Sequence, residues 1–405
     1  MENPTFKVYS YRWVMLAIYM FIVAMNQLSW ITFAPITSDA ATYYKVSELS
    51  IGILSMSFMV IFIIFSIPAS WIIDTYGIRI GVGIGALLTG VFGLMRGFAA
   101  SDFTLLLISQ IGIAIGQPFL LNAITKLSAR WFPMKERATA SGLGTLSMYI
   151  GILGGMIITP FVTLKSGIDG MLYIYGVISV VAAVIFLVFS KERPKTAPCL
   201  PGEEERALVL DGFKIIFRSK DFLWMMVIFF IGLGVFNSVT TWIEGILSPR
   251  NFTITQAGIV GGVMIAAGII GALVIPILSD MRAKRVPFIR LALLGSTIGL
   301  IGLTYSSSYA VVLIAGATLG FFLLSSGPIG FQYGAEVTYP ASEGSSNGLL
   351  LMMGQVSGIA FIFGMDFFKS KADGSMNNPL LIMILLMVVS LIVSFKLKES
   401  KMVGK

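Results

Sequence analysis

Trp30 follows Asn26 by one helical turn, and both stand inside a long apolar run. Isolated polar or aromatic side chains interrupt other apolar runs in the same way: Gln117 and Asn122, Tyr149, Asn237 and Trp242, and Gln355. These residues form no nucleophile–base pair and no metal-ligand set, so enzyme chemistry is not expected. They are suited instead to holding a ligand. The face of a tryptophan or tyrosine attracts an ammonium by roughly 0.5–2 kcal/mol, more when water is excluded. Amide side chains donate or accept as the ligand demands. No acid lies near the centre of these runs, and a cage built on aromatic faces needs none; an anion would want a mid-run Arg or Lys, and none is present. Each residue has a structural alternative: Trp30 as a packing aromatic, Gln355 as a hydrogen bond between helices.

The bulk composition says where these runs reside. Of 405 residues, 56% are hydrophobic and only 12% charged, against about 25% charged in soluble domains. Such a chain must live in lipid. Its positive charge sits in short loops, so topology accounts for the net +8 and nucleic acid is not expected as a partner. The absence of histidine and the lone Cys199 remove the commonest proton carrier, the usual haem ligand and any internal disulfide. No cofactor is expected. The first apolar run is long enough to span and has no cleavable-signal pattern.

Apolar runs of spanning length number twelve: 13–36, 51–73, 80–99, 103–127, 138–162, 171–189, 222–247, 256–278, 286–305, 309–334, 345–368 and 378–397. The expected fold is an all-α membrane protein of two pseudo-symmetric six-helix bundles, over 1–189 and 222–405, joined by a linker at 190–221 with a surface helix near Leu208–Arg218. On one side lie 22 of the 28 lysines and arginines; Lys45, Arg96, Lys165, Arg250, Lys369 and Lys371 lie on the other. The positive-inside rule then places both termini and the linker in the cytoplasm of a cell (inner) membrane. Arg96, ending the third span outside, is expected to snorkel to headgroups.

Two charged cassettes occur twice. Asp74-Thr75-Tyr76-Gly77-Ile78-Arg79 is matched by Asp280-Met281-Arg282-Ala283-Lys284-Arg285, and Trp131 to Arg137 by Thr338 to Gly344, at separations of 206 to 207 residues. All four copies fall on the cytoplasmic side. Two like halves with charged turns at equivalent places are the pattern of an alternating-access carrier. Asp74, Arg79, Glu136, Arg137, Asp280, Arg282, Glu336 and Glu343 are therefore expected to form a cytoplasmic gate. Each Asp can pair with local Arg79 or Arg282, or face the N-terminus of the fifth or eleventh span. Glycine clusters at Gly151, Gly154 and Gly155, and at Gly258, Gly261 and Gly262, permit close helix contact. No Gly-Lys-Ser/Thr follows them, so no ATP site is expected.

The cassette after the second span resembles that of the major facilitator superfamily: Asp74 and Gly77 match its motif, Arg79 fills a basic position, and Ser70 replaces the first glycine. A narrower resemblance is carried by Asn26 to Ile31, Pro68 to Asp74, Gln117-Pro118-Phe119, and above all Gly330-Phe331 through Gly344. Together these are similar to the feline leukaemia virus subgroup C receptor-related family. That family moves choline and ethanolamine, with haem also proposed, and a related branch handles pyridoxine. The resemblance implies that Trp30 and Gln355 surround a quaternary ammonium. Tyr149 stands where relatives carry a second glutamine, and Asn237 where they carry a tyrosine.

The expected function is facilitated diffusion of a small organic cation or amine of choline or ethanolamine type by a monomer in a lipid bilayer. A proton-coupled carrier of a carboxylate or vitamin is the alternative, with Glu244 or Asp366 near the outer span ends as coupling groups. A non-transporting receptor or sensor is the third reading.

Overall fold

The computed structural model describes residues 8–99, 101–194, 196, 216–339, 341 and 343–400. Cys199 and most of the surface helix expected near 208–218 lie outside them. Among the described residues the chain is helical, without strands. In order it forms α1 (Tyr11–Ile31), a 3-10 turn (Ala34–Ile36), α2 (Thr37–Tyr44), α3 (Glu48–Tyr76), α4 (Ile78–Gly97), α5 (Phe103–Leu121) and α6 (Ile124–Trp131). There follow α7 (Met134–Phe189), α8 (Lys220–Thr241), α9 (Ile243–Leu247), α10 (Ile254–Met281) and α11 (Val286–Tyr305). The last three are α12 (Tyr309–Thr338), α13 (Glu343–Phe367) and α14 (Asn377–Ser394).

Eleven helices among the described residues are long and apolar enough to cross a membrane. The expected twelve spans are accommodated because α7, at 56 residues, covers two of them. The join is Gly167, whose φ of 73° is open to glycine and costly for other residues. Large side chains such as Ile67, Ile314 and Phe367 stand exposed on the helix surfaces (72%, 66% and 79%). A lipid solvent accepts such surfaces, while backbone groups must be satisfied within the helices.

Three expected spans are broken. The first ends at Ile31 and resumes as the 3-10 turn, where Pro35 supplies a fixed φ and no amide hydrogen. The fourth ends at Leu121, three residues after Pro118. The seventh ends at Thr241, and Trp242 (φ −100°, ψ 18°) separates it from α9.

The chain divides into two compact units. One holds the chain up to Thr32, Thr42–Lys45 and the first-half helices from Val60 onward. The other holds Phe33–Ala41, Val46–Met59 and the second-half helices. Each unit pairs its helices by one scheme. In the first, α1 packs on α7 and α4 on both α5 and α7; in the second, α8 packs on α13 and α11 on both α12 and α14. Close approach makes these pairs: a Cβ on Gly151 would lie 2.2 Å from the Ala24 carbonyl oxygen, so α7 meets α1 backbone to backbone.

Candidate functional site

In the first unit, the C-terminal half of α1 carries the polar residues. Asn26 is fully buried, and its Nδ2 donates to Thr89 Oγ1 (3.1 Å) and to the Ile113 carbonyl (3.2 Å), tying α1 to α4 and α5. Gln27 Nε2 donates to Asn26 Oδ1 at 3.2 Å. Trp30 is buried in the last turn of α1. Gln117 is buried on α5. Asn122 caps α5, and its Nδ2 donates to the Ser66 carbonyl (3.1 Å), Ser66 Oγ (3.1 Å) and Ser70 Oγ (3.0 Å), holding α5 against α3. Tyr149 is half-buried on α7, two residues before the close contact at Gly151. Asn26 and Asn122 thus spend their amide donors on neighbouring helices.

In the second unit, Asn237 Nδ2 donates to the Gly354 carbonyl at 3.0 Å, one residue before the half-buried Gln355. A Cβ on Gly358 would lie 2.8 Å from Asn237 Nδ2, so glycine there leaves room for the amide. Trp242 is fully buried, its Nε1 donates to the Ile362 carbonyl at 3.3 Å, and its ring packs on Gly52.

The repeat interval relates these residues across the halves. Trp30 and Asn237 are 207 residues apart, and Tyr149 and Gln355 are 206 apart. The first pair lies on the first and seventh spans, and the second on the fifth and eleventh.

Glu244, on α9 beyond the end of the seventh span, is 3% exposed. Its Oε2 accepts from Ser38 Oγ (2.9 Å) and from the Ser38 amide (3.1 Å). Ser38 and Glu244 are themselves 206 residues apart, so counterparts in the repeat bond each other. Burial pushes the Glu244 carboxyl above its usual range, against the opposing effect of the Ser38 hydrogen bonds. Glu48 lies alongside and forms an ion pair with Lys369, while Asp366 is half-buried at the end of α13.

The charged ends expected to be cytoplasmic are paired, though differently from expectation. Asp74 pairs with Lys126 (3.1 Å) rather than Arg79, and Lys126 also donates to the Ile73 carbonyl (2.8 Å). Asp280 pairs with Arg285 rather than Arg282, and Arg285 reaches Glu336 at 3.2 Å. Arg282 lies over the Phe288 ring. Glu136 pairs with Arg12 (2.8 Å), and Arg137 Nε donates to the Phe132 carbonyl at 3.3 Å. The side chain of Glu343 lies outside the described residues. Carboxylates do face helix N-termini here, but on α4 and α11. Glu192 accepts from the Ile78 and Arg79 amides (3.1 and 2.7 Å) and pairs with Arg130. Glu399 accepts from the Arg285 and Val286 amides. Lys191-Glu192 and Lys398-Glu399 are 207 residues apart, a third repeated cassette whose only sequence signal was that interval.

Arg96 does not snorkel. It is fully buried, and its Nη1 donates to the Ser29 carbonyl (3.0 Å) and to Gln110 Oε1 (2.9 Å). Carbonyls at the end of α1 lack helical partners, and the guanidinium supplies donors to one of them.

The arrangement resembles proteins already known. A nematode relative, an uncharacterised MFS-type transporter of Caenorhabditis elegans, is 30% identical over 373 residues, covering 87% of this chain; the chain spans 64% of that relative's length. The choline/ethanolamine transporter flvcr2b of Danio rerio is 27% identical over 380 residues, covering 89% of this chain and 78% of the relative. A solved bacterial homologue of the human lysosomal transporter Spinster, in an inward-facing and unoccupied conformation, superposes with a TM-score of 0.78. It shares 15% identity and covers 96% of this chain and 97% of its own. The pattern of the Major Facilitator Superfamily matches residues 19–362, and with the repeat, the spans and the charged cassettes this makes the chain a multi-pass membrane transporter that belongs to that superfamily.

Proposed function

We propose that this transporter carries a small organic cation or amine of choline or ethanolamine type by facilitated diffusion. It acts as a monomer in the bilayer with both termini cytoplasmic. The observation that carries the reading is the matched set Trp30, Tyr149, Asn237 and Gln355 on helices whose middles hold no charge. Between Arg12 and Asp39, Arg137 and Lys165, Asp221 and Glu244, and Glu343 and Asp366, the sequence has no charged residue. Two aromatic faces attract an ammonium without demanding a counter-ion, and two amides can orient a hydroxyl or amine. A carboxylate substrate would find no partner among these side chains. The name of the zebrafish relative supports the same class.

Uptake of radiolabelled choline and ethanolamine into proteoliposomes tests it. Saturable uptake of at least one is expected; Trp30→Ala should raise KM by about tenfold, the order of one cation–π contact, and Gln355→Ala by roughly five- to tenfold, the order of one hydrogen bond. Absence of uptake of both amines by the unmodified protein overturns the substrate class. An unchanged KM in both variants overturns the site.

A further inference from the structure

We infer that Arg96 is a positioning residue: by capping the end of the first span at Ser29, it fixes Trp30 and the last turn of α1. The inference rests on the reading that Trp30 meets substrate.

Ser29 lies in the last turn of α1, where carbonyls have no partner within the helix. The neighbouring Leu28 carbonyl is met by Thr32 Oγ1 at 2.8 Å. The Ser29 carbonyl takes two donors from other helices, Arg96 Nη1 at 3.0 Å and Gln110 Nε2 at 3.1 Å. Arg96 and Gln110 also bond each other, so the carbonyl, the guanidinium and the amide close a buried triangle. A guanidinium suits this place twice over. Its fork serves two acceptors at once, and its charge complements the negative end of the α1 dipole. Trp30 is the next residue, one before the last residue of α1.

The second half shows the same device built from the opposite partner. Arg250, just past α9, donates through Nη1 to the Leu303 and Ser306 carbonyls (2.9 and 2.7 Å) at the end of α11, and through Nη2 to the Ile246 carbonyl (3.1 Å). In each half an arginine ties the far end of the first helix of the bundle to the far end of the third. The same kind of tie is made in each half by unrelated sequence, so it serves the fold rather than being one accidental contact.

The test combines hydrogen exchange with transport. Arg96→Met should speed amide exchange about tenfold in peptides covering Trp30–Thr37 and leave the rest of the first unit unchanged, as expected for the loss of one charged hydrogen bond. With choline as probe, the same variant should raise KM by about tenfold with little change in maximal rate, and Arg96→Lys should recover part of the loss. In a Trp30→Ala background, Arg96→Met should add nothing. Gln110→Met, a milder change, should reproduce the exchange pattern if Arg96→Met is poorly folded. Unchanged or uniformly raised exchange overturns the pin, and additive KM effects overturn the action through Trp30. If choline is not carried at all, the substrate reading falls while exchange still decides the role of Arg96.

Discussion

Glu244 is where single-residue chemistry matters most beyond the ligand cage. It is buried, and it accepts two hydrogen bonds from Ser38. The groups around it are Ser38, Ser248, Glu48 and, through Glu48, Lys369. Burial raises its pKa in this arrangement, while the hydrogen bonds donated by Ser38 oppose the rise. The contribution of Glu244 to this arrangement is full at pH below the ordinary carboxyl value. It declines as pH rises through the raised value. Glu244→Gln imitates the protonated form, so its stability should not share that decline. Thermal unfolding of both proteins across acid to neutral pH should show the unmodified protein losing ground to Glu244→Gln as pH rises. Parallel curves would show that the group does not titrate in this range. The variant should also leave choline uptake indifferent to pH, whereas a coupling role would abolish net uptake and spare exchange.

Helices show which features a sequence discloses and which it conceals. The spans were legible because twenty apolar residues have few other uses, and the cassettes because charge between such runs stands out. The breaks after Ile31, Leu121 and Thr241 were concealed: helix-end carbonyls are satisfied from distant positions, as Ser29 is by Arg96 and Gln110. Arg96 read as a headgroup anchor for the same reason, since hydropathy does not say which helix lies alongside. The polar and aromatic interruptions of the apolar runs were legible, but the bonds committing Asn26, Asn122 and Trp242 to neighbouring helices were not. Glu192 and Glu399 were hidden among ordinary loop charges, although each caps a helix entering its own bundle. A carboxylate on a helix N-terminus contributes about 0.3–1 kcal/mol at exposed sites, and its hydrogen bonds add to this. Glu192→Gln and Glu399→Gln should each lower stability by about 1 kcal/mol in denaturant or thermal titrations. Because they serve separate units, the double variant should lose the sum. An unchanged midpoint in both single variants would show the caps to be replaceable by water.

At the scale of the whole molecule, three helix pairings recur in the two units, and one of the points where the chain changes unit falls inside the expected first span, between Thr32 and Phe33. In the proposed facilitated diffusion no other ion need move with the substrate: the sequence has no phosphate-binding motif, and no charged residue interrupts the middles of the helices bearing Trp30, Tyr149, Asn237 and Gln355. The transported charge is then that of the substrate alone. Choline bears one permanent positive charge, so its equilibrium distribution should follow membrane voltage. One elementary charge gains about 2.3 kcal/mol per 100 mV, so an inside-negative potential of about 60 mV should accumulate choline roughly tenfold. A potassium diffusion potential in proteoliposomes sets the voltage, and the final internal choline is read at several potentials. Tenfold accumulation for each such step, unaffected by a pH gradient imposed at fixed voltage, is the expected result. Accumulation that follows the pH gradient at fixed voltage would instead require a proton to travel with the substrate or against it, and Glu244 would be the first residue to answer for it.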